Sequence, residues 1–93
     1  MVTVESVKSL SIMQIAAIID QDWNNAGKIY ATNHIIRLKQ MYTIKDSVGA
    51  DKGDWNVAYF LANASTWKGN TARIIKAELK RRLKEYEKEV KNT

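Results

Sequence analysis

The last quarter of the chain carries the pattern that most restricts its fold. Between about Thr71 and Lys91, a rotation of 100° per residue brings six apolar side chains onto one side of a helix. They are Ala72, Ile75, Leu79, Leu83, Tyr86 and Val90. This pattern predicts a long amphipathic helix with one face packed on the rest of the molecule. A chain of 93 residues has room for one such core, so we expect a single helical domain over residues 1–93.

Two capping signals predict where the first helices begin. Thr3 can cap a short helical turn that runs to Leu10, and Ser11 followed by Gln14 forms a capping box. The first main helix should then extend from Ser11 to about Asn24. Its apolar residues are too numerous for one face, so we predict that it lies centrally in the core or forms a symmetric dimer contact.

In the middle of the chain, the spacing of apolar residues predicts two more helices, separated by the longest loop. Apolar spacing indicates a helix over Ile29–Tyr42, and the stretch Thr43–Gly53 lacks periodicity and should be the segment least protected from hydrogen exchange. Asp54 is expected to cap a helix over Trp55–Thr66 that is buried beside the first. After the tight turn Trp67–Thr71, the fold is predicted to be an all-α, compact bundle of about four helices.

The excess of basic over acidic residues lies in the last quarter of the chain, mostly in the predicted last helix. Basic and acidic residues balance as far as Trp67, whereas nine Lys or Arg against four Glu follow from Lys68. One arc of the helix holds Lys91 together with the candidates for macromolecule binding, which are Arg73, Lys76, Lys80, Arg81, Lys84 and Lys88. Such an arc suits phosphate contacts or an acidic protein surface, and a merely solvated face stays open as the alternative. Because the arc lies off the apolar stripe, reversing Lys76, Lys80 and Lys84 to Glu should leave folding nearly intact.

Four residues outside the last helix are candidates for an interface. Trp23 and Tyr30 flank a predicted turn, and Tyr and Trp are common interface anchors. Lys45 and Lys52 lie in the predicted long loop, where recognition residues often occur. The other bulky aromatic residues are expected to pack in the core: Trp55, Tyr59, Trp67 and Tyr86.

The residues needed for catalysis or metal binding are scarce. The chain has no Cys, His34 is the single His, and no Ser-centred motif accompanies it. Asp46, Asp51 and Asp54 lack the alternating spacing of a calcium loop, and the stretch 49–54 lacks the Gly-Lys-Ser/Thr ending of a phosphate loop. We therefore expect no enzyme activity, no metal and no cofactor. No leader or membrane segment is indicated, which favours a cytoplasmic location.

Three segments resemble small uncharacterised accessory proteins encoded by tailed bacteriophages. They are Asp22-Trp23, Tyr30–Met41 and above all Tyr59–Lys80, whereas the basic segment Arg81–Asn92 departs from the family pattern. The resemblance implies an accessory protein of the bacterial host cytoplasm that binds and modulates a host macromolecule, a class that includes inhibitors of defence systems. Binding to a host or defence-system protein is the leading hypothesis. Nucleic-acid binding through the basic C-terminal helix is the alternative, and a homodimer stays open.

Overall fold

The computed structural model describes residues 2–91, and its regular elements are helices. Helix α1 spans Val4–Lys8, α2 Ile12–Asp22, α3 Thr32–Leu38, α4 Gly53–Ala62 and α5 Asn70–Lys91, with a 3-10 helix over Ala26–Tyr30 between α2 and α3. The predicted all-α bundle is confirmed. No helix in the described part of the chain is both long and apolar enough to cross a bilayer.

Both predicted N-terminal caps are present. The Ser6 amide donates to Thr3 Oγ1 at 3.0 Å, and the Thr3 amide donates to Ser6 Oγ at 2.9 Å. At the start of α2, the Gln14 amide donates to Ser11 Oγ, and Gln14 Oε1 accepts from the Ser11 amide. These bonds satisfy amides that have no partner within the first turn of a helix, so the sequence alone places both helix starts.

Helices α2, α3, α4 and α5 form a closed ring in which each packs on the next, and α1 packs on the outer side of α5. The core lies inside this ring. Helix α2 buries one face, formed by Ile12, Ile15, Ala16 and Ile19, whereas Met13 is exposed and Ile18 is half-buried. Within one chain α2 is therefore not covered on all sides, because its neighbours α3 and α5 cover only part of its circumference. The alternative that α2 forms a symmetric dimer contact stays a prediction.

Three aromatic rings occupy the centre of the core. Trp23 stacks on Trp67 with centroids 6.0 Å apart, and both rings meet Phe60 edge-on at 6.3 and 6.2 Å. Trp23 is only 1% exposed, so its predicted place on the surface is wrong. The chain turns inward at the end of α2, and the Trp23 indole N–H finds its acceptor in the Asn25 side chain at 2.9 Å.

Helix α4 is less buried than its apolar sequence predicts. Trp55 and Tyr59 are 51% and 53% exposed, although both were expected in the core, and Tyr86 of α5 is half-buried. Helix α4 packs mainly against α3 and α5, and its exposed residues are Trp55, Ala58, Tyr59 and Ala62. Because apolar residues surround the axis of α4, its sequence could not show which side would be exposed.

The predicted second helix is shorter than expected and is divided. Helix α3 ends at Leu38, and the segment after it turns towards the start of α2. There the carbonyls of Met41 and Tyr42 accept the amides of Met13 and Ile12 at 2.8 and 3.0 Å, which lie in the first turn of α2 and have no acceptor within that helix. The segment after α3 therefore caps α2.

The start of α4 also differs from the prediction. The N-cap position is Lys52, which makes no side-chain capping bond, and Asp54 lies within the first turn instead of capping it. Gly53 is the first helical residue and is buried. The backbone carbonyls of Ile44 and Asp46 pass so close to it that a Cβ atom would collide with both. The close passage of the loop over α4 therefore requires glycine here.

Candidate binding surface on helix α5

A buried carboxylate organises the side of α5 that faces α1. Glu78, whose side chain is 4% exposed, accepts from Arg81 Nη2 and Arg82 Nε, both at 2.7 Å. The hydrogen bond from Arg81, with a further one from Arg82, holds the pKa of Glu78 below its usual value. Glu78 is therefore ionised at neutral pH, and the neighbouring arginines compensate its charge.

Arg82 connects this carboxylate to the N-terminal helix. Its Nη2 atom donates to the carbonyls of Val7 at 3.0 Å and Leu10 at 2.8 Å. These carbonyls belong to the C-terminal end of α1 and the residues after it, where backbone acceptors lack helical partners. Arg82 therefore fixes α1 to α5 and is not available to an external ligand.

Arg81, a predicted binding residue, is held in two ion pairs. It reaches Glu78 on one side and Glu85 at 2.8 Å on the other. Arg73, another candidate, donates to the side chain of Asn70 in the first turn of α5. Both lie on the helix surface, but the positive charge of Arg81 is compensated within the chain.

Lys76 stabilises the turn before α5, which its position on the helix alone does not indicate. Its ammonium donates to the carbonyls of Ala64 and Trp67, both at 2.6 Å, and lies 5.9 Å from the centroid of the Trp67 ring. Burial, with the nearby charges of Lys80 and Lys68, lowers the pKa of Lys76. Lys76 caps the turn between α4 and α5. The expectation that it can be reversed like a free surface lysine does not fit these contacts.

The remaining candidates form an unpaired row on α5. Lys80, Lys84 and Lys88 are exposed, and within residues 2–91 they have neither an ion pair nor a hydrogen bond. They follow each other at intervals of about one helical turn, roughly 6 Å apart along the axis at 1.5 Å per residue. We call these three residues the lysine row.

In the described chain before Lys68, most basic side chains are paired with carboxylates, unlike the lysine row. Between residues 2 and 67, each Lys or Arg other than Lys52 forms an ion pair with a carboxylate. The pairs are Lys8–Glu5, Lys28–Asp20, Arg37–Asp51, Lys39–Asp20 and Lys45–Glu89. Two lysines pull the pKa of Asp20 down to about 2, chiefly through the Lys28 hydrogen bond and then that of Lys39. The uncompensated charge is thus concentrated on α5.

The four predicted interface residues do not form one surface. Tyr30 is 75% exposed at the end of the 3-10 helix, but Trp23 lies in the core. Lys45 pairs with Glu89 of α5 at 3.1 Å, and Lys52 lies over the ring of Trp55, 5.6 Å from its centroid. Sequence reasoning placed Lys45 and Lys52 in a loop but had no signal for these partners on α4 and α5.

A cleft between the start of α4 and the end of α5 was missed by sequence reasoning. It has a volume of about 270 Å³, and its apolar walls come from Trp55, Tyr86 and Val90. The excess of apolar residues in α4 was the one sequence signal for an exposed patch of this kind. In the part of the chain that the structure describes, no group of three or more His, Asp or Glu side chains could hold a metal ion.

Comparisons with protein-family models, curated proteins and solved structures found no match to this chain.

Proposed function

We propose that the protein is a non-enzymatic binding protein that engages an acidic surface of a host or defence-system protein through the lysine row. One observation supports this above all. The acidic residues of the chain compensate nearly all of its basic side chains before Lys68, yet within residues 2–91 Lys80, Lys84 and Lys88 have no partner and share one exposed helix face. Neighbouring like charges on a helix cost stability, and an external acidic partner would compensate that cost.

Negative charges beside the row favour a protein over a nucleic acid. Glu85, Glu87 and Glu89 alternate with the lysines in the second half of α5. Glu85 is paired with Arg81 and Glu89 with Lys45, but Glu87 forms no ion pair within residues 2–91. A phosphate backbone would meet this carboxylate, whereas a protein surface of mixed charge can place a basic group opposite it. The likeness to phage accessory proteins supports a partner in the bacterial host.

Nucleic-acid binding is the second candidate, and the spacing of the row favours it. Three lysines at intervals of four residues lie along a 22-residue helix, which allows contacts to successive phosphates. Such binding would be independent of sequence. For duplex DNA, each phosphate contact would contribute about 0.9 to the slope of log affinity against log salt concentration.

A pull-down from a bacterial lysate, with and without nuclease, tests both candidates. The variant carries Lys80→Glu, Lys84→Glu and Lys88→Glu, and the matched control carries Arg at the same three positions to keep the charge. We expect nuclease-resistant capture of a defined protein by the wild type and by the Arg control, and its loss from the Glu variant. Capture that nuclease abolishes would instead support nucleic-acid binding. Capture that is unchanged in the Glu variant would show that the lysine row is only solvated surface.

A further inference from the structure

The cleft between α4 and α5 has an apolar interior that is open to solvent. Trp55 keeps 51% of its surface exposed, although it is among the largest apolar side chains in the molecule. Tyr86 lies opposite it on α5 and is half-buried. Large aromatic side chains in a partly open pocket are the usual anchors of protein interfaces.

The rim of this cleft carries balanced charges. Lys52 and Lys91 provide two cations, and Asp54 and Glu87 provide two anions. Within residues 2–91 these four groups form no ion pair. Lys52 makes a cation–π contact with the Trp55 ring. Glu87 and Lys91 are separated by four residues, a spacing that permits pairing on a helix, yet they are not paired. The four charges of the rim therefore sum to zero, but none of them is paired with another charge within residues 2–91.

We propose that this cleft is the contact site for a second copy of the chain in a two-fold symmetric dimer. In such a dimer the same patch meets itself, so the patch must be self-complementary. An apolar centre with two cations and two anions at its edge meets this requirement, because each lysine can face a carboxylate of the other copy. The rim has no net charge and therefore does not attract a strongly acidic partner, which distinguishes the cleft from the lysine row.

The dimer contact uses none of the three residues of the lysine row, although it includes Glu87, which lies beside that row. The formal charge of +5 on each copy opposes association, and its excess lies on α5, which also forms one wall of the cleft. Salt at physiological concentration screens this repulsion beyond about 8 Å. Covering Trp55 and Tyr86 would remove apolar surface from water, which stabilises association.

Sedimentation over a range of concentrations tests the proposal directly. We expect the wild-type mass to rise from 10.6 kDa towards twice that value as concentration increases. Trp55→Ala should weaken association on the order of tenfold or more, because anchor residues contribute most of the binding energy. A wild type that stays monomeric into the millimolar range would overturn the proposal. So would a monomer that loses a captured host protein or nucleic acid on Trp55→Ala, since the cleft would then receive that partner.

A pair of charge variants tests the self-complementarity of the rim. One variant, Lys52→Glu with Lys91→Glu, makes the rim wholly acidic, and the other, Asp54→Lys with Glu87→Lys, makes it wholly basic. Each variant should be monomeric by itself while keeping the helical circular dichroism of the wild type, and mixing the two should restore a dimer. If mixing restores no dimer, or if each variant still dimerises alone, the proposed contact is wrong.

A matched control shows whether net charge alone changes the association. Lys80→Glu with Lys84→Glu makes the same change of charge on α5 but outside the rim. This variant should dimerise as the wild type does, even where it loses the partner of the lysine row. Equal loss of dimer in this control would place the contact on the lysine row and overturn the assignment to the cleft.

Discussion

The indole N–H of Trp67 donates to Asp22 Oδ2 at 2.9 Å and so joins residues 45 positions apart in the chain. Trp67 lies in the turn before α5, and Asp22 ends α2. A second link runs beside it, because Asn25 Nδ2 donates to the Thr66 carbonyl at 2.9 Å. The two turns are thus held together by side-chain bonds at the edge of the aromatic core.

Removing the acceptor of the Trp67 indole should destabilise the fold. Asp22→Ala leaves a buried N–H group without a partner, which costs about 1–3 kcal/mol of unfolding free energy. Asp22→Asn keeps an oxygen acceptor and should lose less. Urea denaturation measures both, and Gln21→Ala, an exposed neighbour on the same turn, serves as the control. Equal stability of Asp22→Ala and the control would refute the role of this bond.

Lys76 and Lys80 should respond differently to the same substitution. Lys76→Glu removes an ammonium from the carbonyls of Ala64 and Trp67 and brings a carboxylate towards them, so we expect a loss of about 1.5–3 kcal/mol or more. Lys80→Glu should change stability by about 0.5 kcal/mol or less, since Lys80 is exposed. Thermal unfolding followed by circular dichroism compares the two. Similar melting temperatures would show that the bonds of Lys76 contribute little.

The buried Glu78 should be among the most sensitive charged positions. Glu78→Ala removes the carboxylate that Arg81 and Arg82 share. Arg82 is only 15% exposed, but Arg81 is 43% exposed and keeps Glu85, so we expect a loss of about 1.5–3 kcal/mol, the value of hydrogen bonds to charged groups. The pKa of Glu78 is lowered in the folded state, so the stability that it contributes is present above its usual pKa and declines as pH falls through the folded-state pKa. Denaturation at several acidic pH values should show a decline that is smaller in Glu78→Ala.

His34 should make the fold less stable in mild acid. Burial, with the nearby charge of Arg37, lowers the pKa of His34, and its Nδ1 atom is buried without a hydrogen-bond partner among residues 2–91. The unfolded chain therefore binds the proton more tightly, and stability should fall as pH drops below the usual value of about 6.5. His34→Gln should remove this part of the dependence in urea denaturation between about pH 7.5 and pH 5. An unchanged pH profile would contradict the prediction.

The loop Thr43–Gly53 should exchange its amides faster than α5, as the sequence predicts. Its backbone bonds are local: the Val48 and Asp51 amides pair with each other's carbonyls, and Asp46 bonds back to Thr43. Local opening breaks few of these bonds, so little free energy opposes it. Hydrogen exchange followed by mass spectrometry measures the difference. Protection equal to that of α5 would show that the contacts of Gly53 hold the loop as firmly as the helix.

The sequence by itself determined the features that depend on residues a few positions apart. The caps at Thr3 and Ser11, the long helix α5 and the turn at Gly69, whose φ of 114° favours glycine, all follow from local spacing. The apolar stripe of α5 is correct where the helix is covered, at Ala72, Ile75 and Leu79, and ends in the exposed Val90.

The tertiary structure decided what each side chain meets. Helical periodicity gives an angle around the axis, but it does not say which neighbour lies at that angle or how far along the helix that neighbour extends. Lys76 and Lys80 lie one turn apart on the same arc, yet only Lys76 is beside the turn that presents the carbonyls of Ala64 and Trp67. Trp23 is buried and Trp55 is exposed for the same reason, because burial depends on contacts between segments that are distant in the chain.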